Sequence, residues 1–403
     1  MTGSTEASVA ILSAVRTPIG RFGGALRAVP ATVLGTHAAR AAIDRSGIPA
    51  SEIEEVLFGQ AIQAGAGQNP ARQVLRGAGI PDTVGAATVN MVCGSGMKAI
   101  HWGFSAIRAG DFDRVLVGAM ESMSNSPYLL PGSLRWGSHP GPHTLDDGMQ
   151  RDALIDAYAE HEIMGLTGER IARKFALTRA EVDAFGLRSH VRAVRATEDG
   201  TFASEIVAIP PDIAPGVPGL ARDEAPRADT TLEKLAKLKP AFAPDGILTA
   251  GNSSKLSDGA AALVLASRRE VERRGLKPIA WIHSVGESGV HPRDVMEAPI
   301  PTVTKHLERT GFTPGDLDRV EHNEAYASAS LAVQRTFGFT EEQFNVHGGA
   351  VALGHPIGAS GARIVVTLTQ ELVHSRTRLG LATLCMGGGN GLSLIVDRQG
   401  LGP

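Results

Sequence analysis

The stretch Val84–Met120 reads VGAATVNMVCGSGMKAIHWGFSAIRAGDFDRVLVGAM. Its first part, Val84–Val92, is an apolar run of the kind a buried strand shows, and Cys93-Gly94-Ser95-Gly96 is a turn. Met97, Ile100, Phe104 and Ile107 then recur at helical spacing until Gly110, and Val115–Met120 is a second strand-like run. A strand, turn, helix and strand in this order form the unit of an α/β layer, here with a cysteine at the turn. Upstream, Ala7–Ala14 and Glu55–Phe58 read as strands, and residues 31–46 as a helix that stops at Gly47.

Downstream the character changes. Pro, His and Gly crowd residues 126–148, and helices with charged faces follow. Thr178–Glu181 and Thr230–Glu233 both have the spacing of a capping box, and Pro210–Pro226 is irregular. Residues 122–249 therefore read as an insertion, helical at both ends and looped between. Ala260–Ala266 returns to the buried-strand pattern. From about 275 the first rhythm comes back. Gly358-Ala-Ser-Gly361 precedes a helix whose apolar face is Ile364, Val365, Leu368 and Leu372, and Leu381–Leu384 is the strand after it. Ser95 stands 20 residues before Val115, and Ser360 stands 21 before Leu381, which suggests a duplicated α/β unit. The expected parts are 1–121 with 250–274, the insertion at 122–249, and 275–403.

Composition narrows the function classes. The 403 residues are 43% hydrophobic, which excludes a disordered chain. With 39 basic and 42 acidic side chains, scattered along the chain, nothing attracts nucleic acid or an anionic membrane. No apolar run approaches the ~18–20 residues of a membrane helix. The N-terminal MTGSTEA has no basic residue before its short apolar run, and Glu6 is foreign to a transit peptide, so a cytoplasmic protein is expected. Two cysteines cannot make a disulfide scaffold, and no CxxC motif is present. The 48 glycines, well above the usual share of about 7%, point to tight turns and close backbone approaches.

Both cysteines fall in glycine-rich loops after apolar strands. At Cys93 the helix N-terminus would stabilise a thiolate and the glycines would let a substrate approach; the simpler alternative is a small buried residue. Cys385 lies in LCMGGGNGLS, whose N–H groups suit an anion nest or oxyanion hole. His355, in GGAVALGHPIGASGAR, suits a general base for a thiol, although one histidine among 13 is a weak signal. Asn323-Glu324-Ala325 could position a water or donate to an oxyanion; on spacing alone an Asx turn is the simpler reading. Phosphate-loop, GxSxG, HExxH and dinucleotide GxGxxG motifs are all absent.

Taken together these segments resemble the thiolase family over nearly the whole chain. The resemblance is carried by Val15-Arg-Thr-Pro-Ile-Gly, Phe22-Gly-Gly, Asn90-Met-Val-Cys93-Gly-Ser-Gly and Met120-Glu-Ser-Met. It continues in Thr249-Ala-Gly-Asn-Ser-Ser254, Asn323-Glu-Ala-Tyr326, Gly354-His355-Pro-Ile-Gly and Cys385-Met-Gly-Gly-Gly. It implies a duplicated five-layered α/β/α/β/α fold with an inserted loop domain, and ping-pong acyl transfer between coenzyme A thioesters. In that picture Cys93 takes the acyl group and His355 activates it. Cys385 moves the α-proton, Asn323 acts through a water with His355 on the enolate oxygen, and the N–H groups of Cys93 and Gly387 hold the thioester oxyanion. Arg227, Phe242 and Ser254 match positions that meet coenzyme A or its channel. Met164 and Leu256 match the acyl pocket, with Ala325 and Tyr326 beside it.

Coenzyme A is then a substrate, no cofactor is implied, and a homodimer or homotetramer is expected. The chain also departs from the family pattern. Ile163 stands where the biosynthetic enzymes have histidine, with His161 expected to face elsewhere on the helix. Tyr326 replaces a Phe, Lys255 replaces a Gly, and residues 133–146 differ strongly. Met120-Glu-Ser-Met and Ser126-Pro-Tyr favour condensation of two acetyl-CoA to acetoacetyl-CoA. Ile163 favours the alternative, a broader or longer-chain 3-ketoacyl-CoA thiolase. A decarboxylating synthase would carry a Cys-His-His or Cys-His-Glu set, against Asn323 and Cys385 here. A non-catalytic acyl-CoA-binding protein is at odds with the intact set Cys93, Asn323, His355 and Cys385.

Overall fold

A computed structural model of the chain describes residues 8–137, 140–158 and 161–400. The N-terminal residues on which the leader reading rested lie outside these. The first part holds β1 (Val9–Arg16), β2 (Gly20–Arg21), α1 (Ala31–Ser46), β3 (Glu55–Gly59), α2 (Pro70–Gly77), β4 (Gly85–Val89), α3 (Ser95–Ala109) and β5 (Arg114–Ser122). The middle holds β6 (Tyr128–Leu129), β7 (Asp146–Asp147), α4 (Met164–Lys174), α5 (Arg179–Glu198) and α6 (Leu232–Ala236). Then come β8 (Ser257–Ala266), α7 (Arg268–Arg274), β9 (Ala280–Gly289), α8 (Pro299–Thr310), β10 (Arg319–His322) and α9 (Ala327–Phe337). The chain closes with α10 (Ala350–Leu353), α11 (Ile357–Ser375), β11 (Leu379–Met386) and β12 (Asn390–Asp397).

Local chemistry sets most of these boundaries. Helix α1 ends where Gly47 takes φ 75°, a left-handed cap that costs glycine nothing. Its buried face is Leu34, Gly35, Ala38, Ala39 and Ala42, and a Cβ on Gly35 would come within 2.6 Å of the Met120 sulfur. The capping box at Thr178 and Glu181 forms at the start of α5. At the second site the expectation fails, because Thr231 is the cap and its hydroxyl accepts from Lys234 N–H. The first part of the insertion is not α-helical: it runs through β6, β7, single turns and loops before α4. The run Val84–Val92 is a strand only to Val89, and it is half exposed because β4 lies at the edge of its sheet. Helix α11 begins at Ile357, so Gly358–Gly361 is its first turn and not a turn before it.

The main sheet runs β10-β11-β12-β9-β1-β8-β5-β3-β4, with β2 paired to β8. Its centre is an antiparallel ladder pairing Val9 with Ile282, Ala10 with Trp281 and Ile11 with Ala280. Outward from β1, β8 and β5 add antiparallel and β3 adds parallel. Outward from β9, β12 and β11 add antiparallel and β10 adds parallel. The same directions leave the centre on both sides, so the duplication is written in the strand order. Helices α3 and α11 pack on each other and on strands of both half-sheets, with α1 and α2 covering one outer face and α8 the other. Five layers result. The two central helices cross at glycines: a Cβ on Gly96 would lie 2.8 Å from Ala362 N, and one on Gly361 2.7 Å from Met97 N. Arg16, fully buried at the end of β1, is held by Glu205 at 2.5 Å and Asp223 at 2.7 Å, which ties the middle segment to the first half-sheet.

Candidate active site

Between β4 and α3 the chain makes a tight turn in which Val92 takes φ 49°, unusual for a β-branched residue. Ser95 fixes this turn, accepting from Met91 N–H at 2.9 Å and donating to the Val92 carbonyl at 2.7 Å. The Met386 side chain covers Gly94 so closely that a Cβ would fall 2.2 Å from its sulfur. Cys93 is thereby presented at the mouth of α3. Burial pushes its thiol up to about 12, opposed by hydrogen bonds from the backbone N–H groups of Gly387 and Cys93.

The second half supplies the other groups. Strand β11 is buried along its length and ends at Cys385-Met386, with Cys385 opposite Gly391 of β12. Gly388 and Gly389 turn the corner at φ 89° and 84°, which accounts for the glycine run. The Cys385 thiol lies 3.6 Å from the sulfur of Met296 and is likewise pushed up to about 12, by burial first and by Cys93 second. His355 sits between α10 and α11, its backbone N–H on the Lys255 carbonyl at 2.8 Å. Its Nδ1 is 2.5 Å from the Ser360 hydroxyl, and that hydroxyl donates to the Pro356 carbonyl at 3.0 Å. With the serine proton given to the Pro356 carbonyl, Nδ1 carries the hydrogen and Nε2 offers its lone pair; which nitrogen holds the hydrogen follows from where that one hydroxyl proton goes. Burial pushes His355 down to about 3, so the ring is neutral.

Asn323 follows β10 and is fully buried, yet neither atom of its side-chain amide has a partner among the described residues. An amide in that position calls for a water or a ligand, since leaving it bare costs about 1–3 kcal/mol per group. Its backbone is fixed, donating to Thr383 O at 3.2 Å. The next residue, Glu324, accepts from Ser189, Asn345 and Val351 N–H.

One cavity of about 270 Å³ brings Cys93, Cys385, His355 and Gly387 together. Met164, Leu256, Ala325, Tyr326, Phe242 and Ser254 also line it. Phe242, Ser254 and Leu256 are shared with an outer cavity, at whose exposed end stands Arg227. The two together form a passage from the surface to the cysteines. Asn323 does not line the cavity but is buried in the turn that leads to Ala325 and Tyr326. Ile163 does line it, as the residue before α4, whereas His161 precedes that helix at φ 47° and lines a separate cavity with Asp146 and Asp156. Lys255 reaches back to the carbonyls of Ala250 and Ser253, and burial lowers it to about 8.

Sequence reasoning missed Ser360, whose hydroxyl holds His355 Nδ1; a serine five residues beyond a histidine was the available signal. It also missed Met296 and the π-helical turn Gln150–Leu154, both on the cavity wall. Among the described residues no group of three or more His, Cys, Asp or Glu side chains is placed to hold a metal.

An acyl carbonyl in this cavity would meet a thiol, a neutral imidazole with a free nitrogen, a second thiol and inward-facing N–H groups. Comparison with known proteins agrees with that chemistry. The thiolase N-terminal domain matches residues 9–269 and the thiolase C-terminal domain residues 276–398. The acetyl-CoA acetyltransferase of Pseudomonas aeruginosa is 46% identical over 392 residues, covering 97% of this chain and 99% of that protein. That of Cupriavidus necator is 44% identical over 392 residues, with the same coverage. The crystal structure of the Bacillus anthracis acetyl-CoA acetyltransferase superposes with a TM-score of 0.94 at 41% identity, over 97% of this chain and 98% of that one. The chain belongs to the thiolase family.

Proposed function

We propose that this thiolase condenses two acetyl-CoA to acetoacetyl-CoA and free coenzyme A, and runs the reverse thiolysis, through an acetyl group carried on Cys93. The observation that carries the reading is the single cavity on which two thiols, a neutral histidine held by Ser360 and the Gly387 N–H converge. Coenzyme A enters and leaves as substrate.

The proton inventory gives each residue its role. With the Cys93 thiol near 12 and His355 neutral, no thiolate waits in the resting site, so the thiol proton passes to His355 Nε2 as the sulfur attacks the first thioester. The tetrahedral oxyanion is held by the N–H groups of Cys93 and Gly387. Its collapse expels the coenzyme A thiolate, which takes the proton of Cys385. The site then holds acetyl-Cys93, a Cys385 thiolate and a His355 imidazolium. The second acetyl-CoA places its carbonyl oxygen against His355 Nε2–H and a water on Asn323, and the Cys385 thiolate removes the α-proton. The enolate carbon attacks acetyl-Cys93, and the Cys93 thiolate that leaves recovers its proton from His355. All three groups return to their starting states. Each thiol high, each used once as acid and once as base or nucleophile, is what such a cycle needs.

The three-part division of the chain, a cytoplasmic location and association as a homodimer or homotetramer belong to the same reading. In its support, no helix among the described residues is long and apolar enough to cross a membrane. Among the described residues no strand pairs with the outer edge of β4, and Tyr128, Leu130 and Trp136 are exposed. The test is the initial rate of coenzyme A-dependent thiolysis of acetoacetyl-CoA beside 3-ketohexanoyl-CoA. A clear preference for the first is expected. An equal or higher rate on the second would place the protein among the broad 3-ketoacyl-CoA thiolases, with Ile163 on the cavity wall as the reason.

A further inference from the structure

Tyr326 ends the turn that begins at Asn323 and forms the N-terminal cap of α9. Its ring stands edge-on to Phe242, centroids 5.6 Å apart at 86°, and lies so close to α4 that a Cβ on Gly168 would come within 2.9 Å of it. The ring is therefore held in place from two sides. It packs in the same apolar cluster as Cys385 and Met164, and it lines the cavity that holds both cysteines. Leu154, Ile163, Met164 and Met296 make the neighbouring wall apolar. Against that wall the Tyr326 hydroxyl forms no hydrogen bond with any described residue.

A phenol in such a place keeps its hydrogen bond only if something in the cavity accepts it. A two-carbon acyl group leaves room beside it for a water. A longer alkyl chain displaces that water and offers no acceptor in return. We infer that the Tyr326 hydroxyl is a specificity-determining donor, which favours acetyl transfer and acyl groups bearing an acceptor atom and discriminates against plain alkyl extension. The inference rests on the acetyl-transfer reading above and gives that reading a chain-length filter. It also turns the tyrosine, at a position where the family pattern has phenylalanine, into a gain of one directed polar contact.

The experiment uses the full chain and Tyr326→Phe, which keeps the ring packing. Values of kcat and KM for thiolysis are measured on acetoacetyl-CoA, on 3-ketohexanoyl-CoA and on 4-methoxyacetoacetyl-CoA, the last matching the six-carbon substrate with an ether oxygen for one methylene. In the unmodified enzyme the ether substrate should exceed the alkyl one in kcat/KM by about 10-fold, the net worth of one ordinary hydrogen bond. In Tyr326→Phe that gap should close, the alkyl substrate gaining about 10-fold in kcat/KM relative to the ether substrate. A gap that is absent at the start, or one that persists in the variant, overturns the inference. So does an equal fall on all three substrates, which is the mark of a merely structural ring. Failure of the unmodified enzyme to cleave acetoacetyl-CoA would overturn the functional reading itself, and is seen before any variant is made.

Discussion

The duplicated halves offer a direct comparison, because each carries a version of the same constellation. Asn323 follows β10 as Gln60 follows β3. Cys385 lies opposite Gly391 on β12, and Glu121 lies opposite Gly259 on β8. Cys93 stands two residues before Ser95, as Gly358 stands two before Ser360, and each serine donates to a carbonyl in the turn before it, Ser95 to Val92 three residues back and Ser360 to Pro356 four back. Cys93, Cys385, Asn323 and His355 thus have counterparts in Gly358, Glu121, Gln60 and Asn90. The counterparts are largely closed on themselves. Glu121 accepts the N–H groups of Gly358 at 2.8 Å, Ala61 at 3.1 Å and Ile62 at 3.3 Å, and Asn90 bonds the carbonyl of Ala61. At the cysteine end Cys93, Cys385 and His355 line a cavity, and the buried Asn323 amide has no partner among the described residues. One scaffold therefore serves either as a joint or as a reaction site, depending on whether its strand-end side chain is satisfied by the protein or by a substrate.

The sharpest test of this contrast is Cys93→Ala, which removes the acyl carrier. Thiolysis should fall by about 10⁴-fold or more, and no labelled acetyl group should remain on the protein after mixing with acetoacetyl-CoA. Next comes Cys385→Ala. Condensation should drop about 10³-fold while labelled acetyl still reaches Cys93; surviving condensation would remove the role assigned to Cys385. A paired substitution then compares the two ends directly. Asn323→Ala should lower kcat about 10²-fold, the loss typical of one oxyanion contact, and Gln60→Ala no more than about 3-fold. Equal losses would break the distinction between the ends. Ser360→Ala removes the partner of His355 Nδ1 and should cost about 10-fold in kcat with little change in KM.

The smallest effect on rate is expected at Glu121, where the change should appear in stability. Burial raises this carboxyl to about 7, against a usual 4.3, so the folded protein favours its neutral form. Its contribution is full below about pH 4.5 and is lost as the pH rises through 7, a difference of about 3 kcal/mol. Urea midpoints of the unmodified protein should fall between pH 5 and pH 8, and those of Glu121→Gln should fall less. An identical fall in both would mean that Glu121 is not the group responsible.

Much of this was legible in the residues, for definable reasons. Helix α1 could be bounded to the residue because its small apolar face and Gly47 are local signals. The loops at Cys93 and Cys385 stood out because glycine runs are unusual after buried strands. What could not be read depended on partners far along the chain. Ser360 looks like any helical serine until His355 is seen to turn onto it. Glu121 looks like a strand-end charge until the N–H groups of Ala61, Ile62 and Gly358 converge on it. The strand at Val84–Val92 was overestimated because an apolar edge strand and a buried one share a pattern, and only the sheet order separates them.

The antiparallel ladder between β1 and β9 bears on how the chain is made. Strand β1 leaves the ribosome well before its two neighbours, β8 and β9, which begin only at Ser257 and Ala280. At about 5–20 residues per second that wait lasts on the order of tens of seconds, with the run Val9–Val15 carrying both ladder edges unpaired. The central seam of the molecule therefore closes late in synthesis, which exposes the nascent chain to aggregation and to holding chaperones more than its final compactness suggests.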